Sequence, residues 1–371
     1  MKAIVLVPGT ANLRLVDYPE PSITVPDEVK LKVLQVGVCG TDREEASGGR
    51  ADAPPGKTEL VIGHEMLGQV VAVGSAVRAV QPGDYAVLSV RRGCGHCPAC
   101  AVNRSDMCYS GDYAERGIKG RDGYQAEYVV DSEQYVIKIP GDVASTGVLT
   151  EPMSVVEKAI DEAIRIQTAR LPDAADTLNW LKGKRVLVAG IGPIGLLAGF
   201  ALRLREANVL GLGREDAHTV RPSVLTQIGV KYVDERQIKP DASQEYLGQI
   251  DLIFEATGAA RLEFDLLSAL GVNGVYVLTG IPGGNRPINI EGPALMRQLV
   301  LRNQVMVGSV NASRKHFQMA VEDLEKARKI WSSAIDRLIT HRFPYTQYAE
   351  ALSLRSPDEI KTVVEWGRMG G

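Results

Sequence analysis

Up to about residue 155, apolar and polar positions alternate in short runs broken by Gly and Pro, as in VKLKVLQVGVCG, GQVVAVG, GDYAVLSV and GYQAEYVV. A period of two over a few residues reads as half-buried strands. Their crowding between turn residues predicts a folded-over antiparallel sheet or barrel rather than βαβ units. The opening MKAIVLVPGT reads as the first strand; it is too short for a secretory signal and shows no cleavage site. Near Glu151 the period changes, and EPMSVVEKAIDEAIRI spaces its apolar residues along one helical face. A polar, turn-prone piece follows, TARLPDAADTLNW. Then KRVLVAGIGPIGLLAGFALRLREANVLGLG predicts strand, glycine turn, helix and strand. IDLIFEATG and GVYVLTGIPGG read as further parallel strands with glycine-rich ends. Two more helices are predicted in the tail, around HFQMAVEDLEKARKIW and PDEIKTVVEW.

The chain has 371 residues, too many for one ordinary core, so two domains are expected. Apolar residues make up 45% and charged residues 23%, the balance of a soluble globular protein. The net charge of −3, with Lys and Arg scattered, gives no basic face for nucleic acid. No apolar run approaches the roughly 20 residues needed to span a bilayer. A cytoplasmic location is expected, where free thiols and metal thiolates prevail over disulfides.

That expectation shapes the reading of the cysteines. Four of the five, Cys94, Cys97, Cys100 and Cys108, fall in GCGHCPACAVNRSDMC with the spacing C-x2-C-x2-C-x7-C. Four thiolates so close in sequence can surround one ion tetrahedrally, which suits a closed structural zinc site. Metal binding then supplies local folding energy. An iron–sulfur cluster is the rival, and two disulfides or idle thiols are the plain alternative. His96 lies inside the loop and could serve as a ligand, although four cysteines make it unnecessary.

Cys39 stands apart, followed by Gly40, Thr41 and Asp42. GHEMLGQVVAVG supplies His64 and Glu65, and TEPMSV supplies Glu151. Thiolate, imidazole and carboxylate are the ligand types of a catalytic zinc site with an open position. Taken singly, each is better explained by a buried small thiol or a hydrogen-bonded core residue.

In VAGIGPIG, Gly190, Gly192 and Gly195 form G-x-G-x-x-G between a predicted strand and a predicted helix, the context of a dinucleotide-binding turn. The second strand of that unit ends in LGLGRED. Gly213 stands where NAD enzymes place an acid, and Arg214 can bind a 2′-phosphate bidentately. This favours NADP. Glu215 could still take a ribose hydroxyl, which keeps NAD as a second cofactor.

Together these pieces resemble the zinc-dependent medium-chain dehydrogenases/reductases, over nearly the whole chain: CGTD, GHE with its trailing glycines, the four-cysteine lobe, the glycine turn and LITHRFPYTQYAEAL. Within them the likeness is to the microbial glucose 1-dehydrogenases. It is carried by ERGIKGRDGYQAEYVV, TEPMSVVEKAIDEA, GRED and VGSVNASRKHF. The resemblance implies an α/β chain in two domains. Residues 1–155 and 311–371 would form a GroES-like, zinc-binding catalytic domain, and residues 156–310 a Rossmann domain with a doubly wound parallel sheet. It implies two zinc ions per subunit, one structural and one catalytic. Cys39 and His64 would be ligands of the catalytic ion, with Glu65 or Glu151 the third, directly or through water. Thr41 would relay a proton, and Glu115, Glu151 and Asn311 would hold the sugar. Gly190, Gly192, Pro193, Ile194, Gly195, Gly213, Arg214, Glu215, Thr257 and Asn311 would line the cofactor. Val90 and Val155 stand where some members keep a sugar-contacting Asn and Asp. The implied reaction is oxidation of D-glucose, or a related aldose, at C1 to the lactone, in a homo-oligomer, tetramer or dimer. Other readings are a polyol or threonine dehydrogenase, a zinc-free quinone reductase, and a non-enzymatic sensor built on the fold. The last two are opposed by the retained cysteines and glycines.

Overall fold

The computed structural model describes residues 1–174, 180–238, 243–284 and 287–368. Residues 175–179, inside the turn-prone TARLPDAADTLNW, lie outside them. The chain divides into two compact units: Met1–Ser154 with Asn311–Arg328 and Asp336–Gly371, and Val155–Val310 with Lys329–Ile335. The short piece Lys329–Ile335 thus leaves the 311–371 segment for the second unit. The helix Arg314–Ile335 loses helical geometry there, at Trp331 (φ −132°, ψ 46°), whose ring packs edge-on against Phe200 at 5.9 Å.

The first unit is built on the strand Glu28–Val38. Glu65–Val73 pairs antiparallel along one edge and Lys361–Glu365 along the other, while Tyr128–Ser132 pairs with its first half. Tyr85–Leu88 and Val136–Ile139 extend the sheet one way and Ile339–Pro344 the other. Leu31, Val33, Val36, Met66, Tyr124 and Val364 fill the core this sheet wraps.

One predicted element is wrong. PDEIKTVVEW reads as a helix in the sequence, yet Lys361–Glu365 is a strand between two neighbours, antiparallel to Glu28–Val38 and parallel to Ile339–Pro344. Lys361, Thr362, Val363 and Val364 are all buried, so no polar face remains to set a helical stripe. The β-branched Thr362, Val363 and Val364 favour the pleated surface, and so short an apolar run is ambiguous by period alone.

The second unit carries six parallel strands in the order Lys231–Asp234, Asn208–Gly213, Arg185–Ala189, Ile250–Glu255, Leu270–Leu278, Val305–Gly308. This is the doubly wound order, with a crevice where it reverses, beside Arg185–Ala189 and Ile250–Glu255. Inner strands of such a sheet are covered on both faces. RVLVA accordingly buries every residue after Arg185, and Leu187, Leu210, Ile253 and Tyr276 belong to one core. Among the described residues no helix is long and apolar enough to cross a membrane.

Candidate metal and cofactor sites

The register of three strands assembles the first site. Gly37 pairs with Glu65 and Val38 with Thr362, so Cys39, His64 and Lys361 all fall at one end of the sheet. Cys39 Sγ lies 3.0 Å from His64 Nε2, and ligand atoms of Cys39, His64 and Glu65 all lie within 4.8 Å of one another. Gly37 makes room for this: a Cβ there would sit 2.1 Å from Glu65 Oε2. Cys39 also caps the helix Gly40–Ala46, its sulfur accepting from the N–H of Thr41 at 3.2 Å. Thr41 therefore stands on the first turn beside the sulfur.

Asp42 is not among the site residues the sequence singles out, although its spacing from Cys39 makes a capping box that could have marked it. Its Oδ2 accepts from Cys39 N at 2.8 Å, and Oδ1 lies 3.4 Å from His64 Nδ1. Neither of those last two buried atoms has a hydrogen-bond partner among the described residues. A carboxylate on the Nδ1 side of the ring is the usual support of a metal-bound histidine, and Asp42 stands on that side while Nε2 faces Cys39. Burial opposes a charged imidazole, but Cys39 and Asp42 more than offset it and raise the His64 pKa well above 6.5. A cation between sulfur and ring answers the same electrostatic demand as that proton. The donor set, soft thiolate, imidazole and carboxylate in a buried pocket, fits zinc.

The two acids differ in circumstance. Glu65 is bound through both oxygens to Lys361 Nζ, at 2.6 and 2.8 Å, and both residues are only 2% exposed. Lys361 also donates to Val38 O at 3.3 Å. No local signal marks Lys361, since it lies 296 positions from Glu65. Glu151 is half-buried at the start of the helix Thr150–Arg170 and lies outside the cluster of Cys39, His64 and Glu65. Burial pushes its carboxyl up to about 7; Glu65 and Asp42 act in the same sense, against His64 and Lys361.

Glu115 and Asn311, named separately from sequence, meet. Glu115 Oε1 accepts from Asn311 Nδ2 at 2.5 Å and from Arg91 Nη2 and Nε at 2.9 and 3.1 Å. Nothing in the sequence marks Arg91; its guanidinium also stacks on Tyr113, 4.0 Å from the ring centre. Asn311 has φ +65°, a left-handed conformation that Asn tolerates better than most residues. Val90, by contrast, is a core residue, 2% exposed. The cavity of about 610 Å³ lined by Tyr18, Lys57, Asp122 and Tyr128 contains none of the predicted site residues.

In the lobe, Cys94, Cys97, Cys100 and Cys108 bring their sulfurs within 4.8 Å of one another, with 4.0 Å between Cys94 and Cys100 and between Cys97 and Cys108. The edge of a tetrahedral ZnS4 site is about 3.8 Å, from Zn–S bonds of about 2.3 Å. Disulfides would need about 2.05 Å, and all five cysteines are free. Gly93 is required here, because a Cβ would lie 2.3 Å from Cys100 Sγ. His96 is exposed, its Nδ1 at 2.9 Å from the Cys94 carbonyl, and it is not one of the four clustered ligands.

In the second unit Gly190 follows the strand Arg185–Ala189 with φ +94°. A Cβ on Gly195 would lie 1.8 Å from Gly190 O, so strand and helix touch. Gly192 caps the helix Pro193–Leu204, and a Cβ there would meet nothing within 4 Å. That opening, above the helix amides with Pro193 and Ile194, fits a pyrophosphate. Thr257 borders the turn, its Cγ2 2.7 Å from where a Cβ on Gly190 would stand. Thr257 is held by buried Glu255, which sequence reasoning passed over: Oε1 accepts from Thr257 N, from Thr257 Oγ1 at 2.6 Å and from Gly258 N at 2.9 Å. At the end of Asn208–Gly213, Glu215 Oε2 accepts from Arg214 N at 2.9 Å and folds over Gly213.

Comparison with known proteins agrees with this organisation. The family described as "Glucose dehydrogenase C-terminus" matches residues 144–366, and "Alcohol dehydrogenase GroES-like domain" matches residues 25–141. Glucose 1-dehydrogenase 2 of Vulcanisaeta moutnovskia is 38% identical over 98% of this chain and 99% of its own. Glucose 1-dehydrogenase of Methanocella arvoryzae is 35% identical over 99% and 100%. The solved Haloferax mediterranei glucose dehydrogenase, in complex with NADP, Zn and gluconolactone, superposes with a TM-score of 0.87, 32% identity and full coverage of both chains.

Proposed function

The chain belongs to the glucose dehydrogenase family of zinc-dependent medium-chain dehydrogenases, and from that premise we propose that it oxidises D-glucose, or a close aldose, at C1 to the lactone with NADP as hydride acceptor. The observation that carries this is the grouping of Cys39, His64 and Glu65 within 4.8 Å in a chain that aligns end to end with an NADP-, zinc- and gluconolactone-bound dehydrogenase. Bound zinc supplies Lewis acidity toward the C1 hydroxyl, and NADP supplies the hydride acceptor. Cys39 and His64 would hold the metal, with Glu65 or Glu151 as the third ligand, directly or through water, and Asp42 faces His64 Nδ1. Glu65 is neutralised by Lys361, so of the two acids Glu151 is the one we place beside the substrate. Thr41 passes the released proton outward. Arg91 and Asn311 direct their hydrogen bonds to Glu115 Oε1, which leaves Oε2 for a sugar hydroxyl. Fixed polar partners of this kind discriminate among sugars, because an unmatched buried hydroxyl partner is expensive.

Cys39→Ala and His64→Ala are expected to lower glucose oxidation by more than about 1,000-fold. Metal analysis should then find one zinc per chain instead of two, and calorimetry should find NADP binding retained. Normal turnover in either variant would sink the assignment. A panel of aldoses and polyols measured by NADP reduction separates glucose from sorbitol- or threonine-type substrates.

The same reading gives a homo-oligomer, dimer or tetramer. It is supported by the strand Val305–Gly308, which ends the parallel sheet, and by exposed Met296, Val300 and Leu301 on the helix Gly292–Leu301. We place the protein in the cytoplasm, where both thiolate sites stay reduced.

A further inference from the structure

At the carboxyl ends of Asn208–Gly213 and Ile250–Glu255 lies a cavity of about 270 Å³, lined in part by Leu212, Arg214, Glu235, Arg261, Leu262 and Asp265. Apolar walls with a charged mouth suit the adenosine end of a dinucleotide. The charges at that mouth are already matched. Arg214 makes a bidentate pair with Glu235, Nη2 to Oε1 at 2.7 Å and Nε to Oε2 at 3.0 Å. Arg261 pairs with Asp265, which also lines the cavity; outside the lining, Arg236 pairs with Asp234 and Asp216, and Arg221 with Glu215. Glu235 is the more enclosed member of its pair, with 19% of its side chain exposed against 73% for Arg214. A dianionic 2′-phosphate arriving here meets a guanidinium whose fork is filled by a carboxylate. It must also sit near that carboxylate once the pair opens. NAD brings no phosphate and leaves the pair closed; for its ribose hydroxyl, Glu215 lies folded over Gly213.

We propose that Glu235 is a specificity-determining residue that sets the balance between NADP and NAD by competing with the 2′-phosphate for Arg214. The proposal rests on Arg214 being the phosphate partner. It would let one basic residue after the strand serve both cofactors. A guanidinium held by an enclosed carboxylate binds phosphate less tightly than a free one, and the residual difference leaves room for NAD.

Calorimetric dissociation constants for NADP, NAD, 2′,5′-ADP and ADP on the whole protein test this without catalysis. For Glu235→Gln and Glu235→Ala, NADP and 2′,5′-ADP are expected to bind about 3- to 10-fold more tightly relative to NAD and ADP, the scale of one partly exposed ion pair plus the relieved repulsion. The gain should shrink at high salt. An unchanged or weakened NADP/NAD ratio in both variants overturns the proposal, because Glu235 would then merely support Arg214. Arg214→Ala separates the two layers. If it weakens NADP selectively while the Glu235 variants show no selective gain, the Glu235 proposal alone falls. If it weakens NADP and NAD equally, the phosphate reading of Arg214 falls and takes this one with it.

Discussion

Glu45 shows how much one side chain can carry. It stands one turn after Asp42 on the helix Gly40–Ala46, fully buried, with neither carboxyl oxygen hydrogen-bonded among the described residues. Burial, with the charge of Asp42 beside it, pushes its pKa from 4.5 up to about 9. The native protein thus keeps a proton that the unfolded chain releases above pH 4.5. Stability from this group is fully present below that pH. It then falls as pH rises toward 9, by about 1.4 kcal/mol per unit where the two states differ by a whole proton. Glu45→Gln keeps the shape and removes the titration. Thermal unfolding of the variant should match the parent near pH 5 and exceed it by several degrees at pH 8.5; an equal change at both pH values would contradict the buried acid. Asp42 was legible as part of CGTD, but its role was not, because facing His64 depends on a partner 22 positions on. For Glu45 the sequence carried no signal at all, since an acid in a short surface-like helix normally faces water.

Among elements, the glycine turn was the most legible, because strand, turn and helix are contiguous and each glycine answers a local constraint. Its glycines nevertheless do different work, and this can be measured. A Cβ on Gly195 would lie 1.8 Å from Gly190 O, so Gly195→Ala forces the helix off the strand and should destabilise by about 1–3 kcal/mol or more. Gly192 has φ −72° and open space, so Gly192→Ala should keep the parental melting temperature. It should weaken NADP binding at least about tenfold, because the methyl occupies the pyrophosphate approach. Melting curves with and without NADP distinguish the two, and equal behaviour would reject the division of labour. PDEIKTVVEW was illegible for the opposite reason. Its fate was decided by a slot between two distant strands, which outweighed a helical spacing only a few residues long.

For the molecule as a whole, assembly is the property that lies furthest from local sequence. Val300 and Leu301 are each 74% exposed on the helix Gly292–Leu301, which precedes the last strand of the parallel sheet, and the homo-oligomer we propose would cover them. The double variant Val300→Asp, Leu301→Asp should shift the protein to monomer in sedimentation or light scattering while leaving the far-ultraviolet spectrum unchanged; retention of the parental mass would place any interface elsewhere. What the sequence determined by itself were features whose parts are neighbours along the chain. Four sulfurs within fifteen positions and three glycines within six are brought together by local backbone geometry alone. What only the tertiary structure decided were pairings set by strand register: Lys361 on Glu65, Arg91 on Glu115, Arg214 on Glu235. Each joins side chains whose separation is fixed by how strands align. No composition or spacing rule reports that alignment, because it emerges only when the sheets close around their cores.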